Sequence, residues 1–339
     1  MSVAQLSAHP GSCSRLRARA DYLRRVGAAY LLPTRSHLTF WHDRPEVNPA
    51  LSPDRLSAYY MSLAAKSDYP GPFDREGIPM LDYQGRIGRQ YNPIAIAQYG
   101  LGNYNRLLAE GDPKRCRNFL RAADWLVANL ESNLQGLQVW NHHFDWEYRT
   151  PLKAPWYSAL AQGQGISLLV RAHQVTGRAS YEATAGRAFE TFLATTREGG
   201  VAEIDEAGDV WFEEAIVEPP THILNGFIWA AWGVHDFYLH TGESSARRLF
   251  DRAVRTIKRN LHRFDCGYWS LYELSGTKLK MLASPFYHRL HQVQLKVMHQ
   301  LTGELEFAKR AERWADYEKN PLKRTAAIAG KCLFKLLHY

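Results

Sequence analysis

The sequence predicts an all-α protein whose fold is an α/α barrel, or toroid, of about four helical hairpins with short β-hairpins at one rim. Two observations predict this fold. Four long runs with helical periodicity each end in a glycine, and these glycines lie roughly 60 to 66 residues apart, a period typical of stacked αα-hairpins. In each repeat the first run is apolar on most sides and the second is amphipathic, as buried inner helices and half-solvated outer helices require.

The repeats end at Gly111, Gly177, Gly242 and Gly303. Glycine suits the C-cap of a helix because it adopts the left-handed backbone conformation without a steric penalty. In three repeats a serine or an acidic residue follows the glycine, which is a typical start for a second helix. Each repeat is therefore predicted to be an inner helix, a tight turn and an outer helix.

The segments that join the hairpins, residues 132–157, 198–222 and 263–286, contain Gly, Pro and short alternating runs such as GVAEID and GYWSLYEL. Such runs predict short β-hairpins, and the rim that they form is where sites on this kind of scaffold usually lie.

Three regions of the chain differ in composition. Residues 1–57 are predicted to form a basic N-terminal helix and a loop-rich extension, and residues 58–318 to form the α/α-barrel domain. Residues 319–339 are predicted to form a basic amphipathic helix at the C-terminus.

Composition limits the partners of the chain. A length of 339 residues with 45% hydrophobic residues is enough for a large core, and the formal net charge of +8 favours polyanionic partners. Nucleic acid is not expected, since no helix-turn-helix, RRM or zinc-finger signature is present. An acidic polysaccharide is the expected partner. The basic tail fits either contact with acidic lipid or an outer helix with a solvated face, and a homodimer is left open.

Cysteine usage and the termini bear on location. The four cysteines are far apart and lack the spacing of metal ligands, which indicates reduced thiols; they are Cys13, Cys116, Cys266 and Cys332. The N-terminus has no unbroken apolar core, so a cleaved signal peptide is not expected. The most apolar stretch, residues 223–239, is too short and too polar for a membrane span. We expect a cytoplasmic protein, at most peripheral at the inner membrane.

Four blocks carry a resemblance to a known family. They are YNPIAIAQYGLGNY (91–104), APWYSALAQGQGISLLVRA (154–172), WFEEAIVEPPTHILNGF (211–227) and SLYEL with FYHRLHQVQL (270–295). In these blocks, and over about residues 58–316, the chain resembles the D-glucuronyl C5-epimerase family. The resemblance implies a helical α/α domain that converts glucuronate units to iduronate within a heparan-type polysaccharide, without a cofactor.

Epimerisation at C5 sets demands on a site. The C5 proton lies next to the uronate carboxylate, so its removal creates negative charge that cations or hydrogen-bond donors must stabilise. Inversion needs one proton-transfer group on each face of the sugar ring, because a single group would restore the original stereochemistry. A tyrosine and a glutamate can form such a pair when their surroundings bring their pKa values toward the working pH.

The resemblance assigns catalytic roles by motif to Glu214, Tyr272 and Tyr287, with Glu214 and Tyr287 on opposite ring faces. The sequence departs from the family at two positions, where Ala215 stands in place of a tyrosine and Ser275 in place of an arginine. These departures keep two alternatives open: a lyase that acts by β-elimination, and a non-catalytic relative that binds acidic glycans. Glu213 and Glu218 are interpreted as structural.

Ten further residues are candidates for substrate binding: Gln98, Tyr99, Trp156, Tyr157, Gln162, Gln164, Arg171, His288, Arg289 and His291. Amide and aromatic side chains suit sugar hydroxyls and ring faces, and histidine or arginine suits the uronate carboxylate. The alternative for each of them is a packing role between helices or a solvated surface position. The cluster NHHFDW (141–146) is interpreted as a rim loop, and no catalytic metal is expected.

Overall fold

A computed structural model describes residues 38–41 and 44–338, and most of these residues are helical. The helices are α1 (Leu38–Trp41), α2 (Ala64–Ser67), α3 (Pro93–Glu110), α4 (Pro113–Ala128), α5 (Ala159–Thr176), α6 (Ala179–Leu193), α7 (Leu224–Thr241), α8 (Ser244–Asn260), α9 (Pro285–Thr302), α10 (Leu305–Lys319) and α11 (Pro321–His338). Most of the predicted N-terminal extension, including its basic helix and Cys13, lies outside the described residues.

The eight helices α3 to α10 form four hairpins, each with one inner and one outer helix. The inner helices α3, α5, α7 and α9 are buried along most of their length, whereas the outer helices α4, α6, α8 and α10 bury one face. Consecutive inner helices pack against one another. This arrangement confirms the predicted all-α class and α/α-barrel architecture.

The four predicted C-caps are confirmed. Gly111, Gly177, Gly242 and Gly303 end the four inner helices in the left-handed conformation, with φ of 67°, 69°, 72° and 73°. Each glycine N–H donates to the carbonyl four residues earlier, which satisfies one of the free carbonyls of the last turn. The next helix then begins within one to three residues, so each pair is held antiparallel.

Two inner helices approach each other backbone to backbone. A Cβ on Gly163 of α5 would lie 2.6 Å from Ala230 Cα of α7, and one on Gly233 would lie 2.2 Å from Gly163 O. Any larger residue at these positions would push the helices apart. The glycines of the WYSALAQGQG block therefore have a packing role, as the structural interpretation of that block holds.

Strands are short and antiparallel. They are β1 (Leu81–Asp82) with β2 (Arg89–Gln90), β3 (Glu131–Ser132) with β4 (Gln138–Val139), and β5 (Ala202–Ile204) with β6 (Val210–Phe212). The rim hairpins predicted within residues 132–157 and 198–222 are therefore present. Residues 263–286 contain only isolated bridges, because Leu274 N–H donates to Thr221 O in the neighbouring loop rather than to a strand partner.

The C-terminal tail is a helix, as predicted. Helix α11 packs against α10 and α9, and its buried face carries Ala327, Lys331 and Phe334 at helical spacing. Within the described residues, no helix is both long and apolar enough to cross a membrane.

Candidate active site

A cleft with a cavity volume of about 150 Å³ opens at the end of the barrel where the inner helices begin. Glu214, Tyr272 and Tyr287 all line this cleft. The other lining residues are Trp41, Tyr83, Asn92, Ile94, Phe144, Trp146, Trp156, Leu160, Asn225 and Trp229. A smaller cavity of about 30 Å³ adjoins it and shares Trp41, Trp229 and Tyr287. The fold thus brings the three predicted catalytic residues into one concave, aromatic-rich site.

The N-termini of all four inner helices face the cleft. Asn92 caps α3, and Leu160, Asn225 and Tyr287 lie in the first turns of α5, α7 and α9. In the described part of the chain no side chain caps α7. Helix N-termini carry partial positive charge and unpaired N–H groups, so their convergence favours an anionic ligand.

Glu214 follows β6 and lies against the first turn of α7. Asn225 Nδ2 donates to Glu214 Oε2 at 3.2 Å. Burial raises the pKa of the Glu214 carboxyl from 4.5 to about 8, the hydrogen bond from Asn225 opposes this rise, and the charges of Glu213 and Glu273 add to it. At neutral pH Glu214 is therefore mostly protonated, which suits a residue that delivers a proton.

The two tyrosines form an edge-to-face pair, with ring centroids 4.9 Å apart and an interplanar angle of 70°. Tyr272 is fixed by its backbone, since its N–H donates to Met281 O at 2.8 Å and its carbonyl accepts from Leu224 N at 3.2 Å. Tyr287 lies in the first turn of α9, which Ser284 caps. The backbone thus positions both phenols before any substrate binds.

A lysine of the C-terminal helix reaches the same pair. Lys331 Nζ lies 4.7 Å from the centroid of the Tyr272 ring, and the residue is 5% exposed. Burial and the neighbouring Lys335 lower the pKa of Lys331 well below its usual range, while Glu273 opposes the shift. Lys331 was not predicted as a site residue, although its position four residues after Ala327 on the apolar face of α11 was a signal that it points inward.

The two positions where the sequence departs from the family have polar neighbours. Ala215 is buried in a cluster with Tyr148, and the ring of Tyr272 packs against this cluster. Arg149 Nη1 lies 3.5 Å from the carbonyl of Ser275. A phenol and a guanidinium from the rim loop before α5 are therefore present beside the positions that lack them.

Two of the ten predicted substrate-binding residues line the cavities. Trp156 lines the cleft, stacked on His142 with ring centroids 3.8 Å apart and with its indole N–H donating to Phe144 O at 2.8 Å. Gln98 lines the adjoining cavity and donates to Gln164 Oε1 at 3.1 Å. Both are held in place by contacts within the protein.

The amides and phenols of the other candidates lie elsewhere. Gln162 Oε1 accepts from Trp140 N, and its amide donates to Gln138 O, so Gln162 ties β4 to α5. Tyr157 donates to Gly199 O at 2.8 Å. Gln164 is fully buried behind Gln98, and Tyr99 packs against Phe73 away from the cleft. These contacts match the packing interpretation of each residue.

The predicted cations are also engaged outside the cleft. Arg171 is buried in a two-pronged ion pair with Asp236, at 2.6 and 3.1 Å. His288 stacks on Trp269 and bonds Ser270 Oγ and Trp314 O, and burial lowers the pKa of His288 to about 4. His291 is buried beside Ser270 Oγ at 3.1 Å. Arg289 is exposed and pairs with Glu318 on α10.

The two other glutamates near Glu214 agree with their structural interpretation. Glu213 is 1% exposed and accepts from both the backbone N–H and the ring Nδ1 of His222. Glu218 is exposed. Glu214 is therefore the glutamate of this stretch that lines the cleft.

Several cleft residues had no role in the sequence analysis. Asn92 and Asn225 supply amides, and Trp41, Tyr83, Phe144, Trp146 and Trp229 supply aromatic rings. Asn225 lies in the same sequence block as Glu214, and aromatic residues are dense in the rim loops, so these were the signals available. Their convergence depends on the tertiary fold.

Comparisons with known proteins give a consistent result. A family model described as D-glucuronyl C5-epimerase C-terminus matches residues 135–316. An uncharacterised protein of Methanocaldococcus jannaschii is 27% identical over 270 residues, which cover 73% of this chain and 86% of that protein. A D-glucuronyl C5-epimerase of Caenorhabditis elegans is 30% identical over 214 residues, which cover 59% of this chain and 34% of that enzyme.

Among solved structures, cellobiose 2-epimerase from Spirochaeta thermophila matches with a TM-score of 0.50 and 11% sequence identity. The match covers 89% of this chain and 85% of that chain. At this identity the likeness supports the fold alone. The chain also spans only about a third of the length of the nematode relative.

Proposed function

Because the chain belongs to the family of D-glucuronyl C5-epimerase C-terminal domains, we propose that it is a uronate C5-epimerase. It converts D-glucuronate to L-iduronate units in an acidic polysaccharide, without a cofactor. The observation that carries the proposal is the presence of Glu214, Tyr272 and Tyr287 in a single cleft. A carboxyl that stays protonated at neutral pH and two phenols are the groups that this proton exchange needs.

In the proposed reaction, ionised Tyr287 removes the C5 proton, and the electron pair of the C–H bond moves into the uronate carboxylate. Protonated Glu214 then delivers its proton to C5 from the opposite face. Tyr287 ends protonated and Glu214 ends ionised, and exchange with solvent resets both. Tyr272 and Asn225 stabilise the charge that develops on the carboxylate.

An acidic polymer is the proposed substrate for three reasons. Four helix N-termini meet at the cleft and attract a carboxylate. The aromatic side chains that line the cleft suit the faces of sugar rings. The net charge of +8 favours association with a polyanion.

The reaction is tested by incubating the protein with a glucuronate polymer in deuterated water and recording NMR spectra. Deuterium incorporation at C5 together with iduronate signals supports the proposal. Absorbance from an unsaturated uronate would instead identify a lyase. Salt-sensitive binding with neither exchange nor cleavage, on any glucuronate polymer, would identify a glycan-binding relative.

Replacing Lys331 with Met is expected to slow C5 exchange about 2- to 30-fold, the range that a cation over an aromatic ring supports. Lys331 Nζ lies over the Tyr272 ring, so its charge would favour the negative charge that develops beside Tyr272 during the reaction. Methionine keeps the length and the packing of the side chain. Exchange rates measured by NMR check the prediction.

Lys323→Met is the matched control, because Lys323 lies on the same helix with its Nζ 4.3 Å from the centroid of the Tyr317 ring, outside the cleft. Equal losses in both variants would show that the effect comes from α11 packing and not from Tyr272.

Gly226→Ala is expected to slow exchange by about 10²-fold. A Cβ at Gly226 would lie 2.1 Å from Glu214 Oε2 and 2.7 Å from Glu214 Cβ, so the carboxyl must move, and displacements of about 1 Å have effects of this size. Gly186→Ala on α6 is the control, since its Cβ meets no atom within 4 Å of the described structure. A normal rate in Gly226→Ala would argue against a precise role for Glu214.

The cytoplasmic location, the peripheral membrane contact and the homodimer stay predictions. Exposed leucines on α11, at positions 322, 333, 336 and 337, support contact with a lipid surface. Co-sedimentation with anionic vesicles tests that contact.

A further inference from the structure

Two histidines and a glutamate meet at the end of the barrel opposite the cleft. His173 lies in the last turn of α5, His240 in the last turn of α7, and Glu182 in the first turn of α6. The cleft is lined by the first turns of α5 and α7, and a helix rises about 1.5 Å per residue, so the cluster lies about 20 Å from the cleft. It has no part in the proposed epimerase site.

The three side chains direct their electron-rich atoms at one point. His173 Nδ1 is 2.8 Å from His240 Nε2. The two carboxylate oxygens of Glu182 lie 3.5 Å from these nitrogens, one oxygen to each ring. Ligand atoms around a tetrahedral Zn²⁺ with bonds near 2.0 Å lie roughly 3.3 Å apart, so the observed separations bracket that geometry.

Hydrogen bonds within the cluster do not satisfy all three groups. Two neutral imidazoles at 2.8 Å share one proton between the facing nitrogens, and neither carboxylate oxygen is within hydrogen-bond distance of them. A cation at the centre would satisfy every atom.

We propose that His173, Glu182 and His240 bind a divalent transition-metal ion that ties helices α5, α6 and α7 together. Two imidazole nitrogens and a carboxylate suit Zn²⁺, with Ni²⁺ and Cu²⁺ as chemically related competitors. Glu182 is 45% exposed, which leaves a path from solvent and room for a water ligand. The cluster is invisible in sequence because its histidines are 67 residues apart.

The test is calorimetric titration of the chelator-treated full chain with ZnCl₂. One saturable site per chain is expected, together with a rise in the thermal unfolding midpoint when Zn²⁺ is added. His173→Gln, Glu182→Gln and His240→Gln should each weaken binding at least about tenfold, since each removes one of three protein ligands. Glu182→Gln changes a surface residue, so it keeps the test decisive even where a histidine variant fails to fold.

His143→Gln is the matched control, because His143 pairs with Glu131 at 3.0 Å without a second histidine. It should bind Zn²⁺ as the wild type does. Replacement of Zn²⁺ by Co²⁺ distinguishes the ligands: a thiolate charge-transfer band would assign the ion to one of the four cysteines of the chain and overturn the proposal. Absence of saturable binding, or unchanged binding in Glu182→Gln, would overturn it as well. Either result leaves the proposed epimerase reaction untouched.

Discussion

Tyr287→Phe is expected to reduce C5 exchange by about 10²- to 10⁴-fold while leaving the fold intact, the range lost when a positioned proton-transfer group is removed. The ring contacts of Tyr287 with Tyr272 and Phe286 are kept by phenylalanine, so only the hydroxyl is lost. Deuterium incorporation at C5, measured by NMR on a glucuronate polymer, gives the rate.

The control for this variant is Tyr181→Phe. Tyr181 is buried on outer helix α6, and its phenol donates to Asp124 at 2.6 Å, far from the cleft. Tyr181→Phe should retain the exchange rate even if its stability falls, because the hydrogen bond from its phenol to the exposed Asp124 carboxylate is lost. Full activity in Tyr287→Phe would remove Tyr287 from the mechanism and leave Tyr272 and Tyr83 as the other phenols that line the cleft.

The fold was predictable because its signals are local. Four glycines end helices with positive φ, and their regular spacing predicts the four repeats; they are Gly111, Gly177, Gly242 and Gly303. Each repeat in turn predicts one helical hairpin. The interior character of the inner helices follows from their apolar composition. The third rim segment forms isolated bridges and not a regular hairpin, and Leu274 N–H donates to Thr221 O in another loop, a long-range contact that leaves no local pattern in the sequence.

The site was predictable only where a motif places a residue before an inner helix. Glu214 packs against Gly226 in the first turn of α7, and Tyr287 lies within the first turn of α9, and those turns face the cleft. Polar residues deeper in the inner helices, such as Gln162 and Arg171, make contacts within the protein that hold the barrel together. Their partners are far away in sequence, as Asp236 is for Arg171, so the sequence could not separate binding from packing.

Lys331 is a site residue that the sequence did not indicate. The charged residues of a basic tail are expected to face solvent, yet this lysine lies on the apolar face of α11 and reaches Tyr272. Only the packing of α11 on α9 and α10 reveals which lysine this is. The cleft therefore depends on the last helix of the chain as well as on the four hairpins.

Glu214→Gln is expected to lower exchange by about 10²- to 10⁴-fold, because glutamine cannot deliver a proton to C5. In the wild type, Glu214 acts as an acid with its pKa raised to about 8 by burial. Exchange in the glucuronate-to-iduronate direction should therefore fall as the pH rises through about 8. The residual exchange of Glu214→Gln should lack this decline. A variant with the wild-type rate would exclude Glu214 as the proton donor.

Stability gives a second readout that does not depend on substrate. Between the ordinary pKa of 4.5 and the raised value of about 8, folded Glu214 holds a proton that the unfolded chain releases. The free energy of unfolding of the wild type should therefore fall as the pH rises across this window. Glutamine resembles the neutral carboxyl, so Glu214→Gln should lose this dependence and unfold at a higher temperature than the wild type near pH 8. If the free energy of unfolding depended on pH in the same way in Glu214→Gln as in the wild type, Glu214 would be ionised in the folded protein and would act as a base.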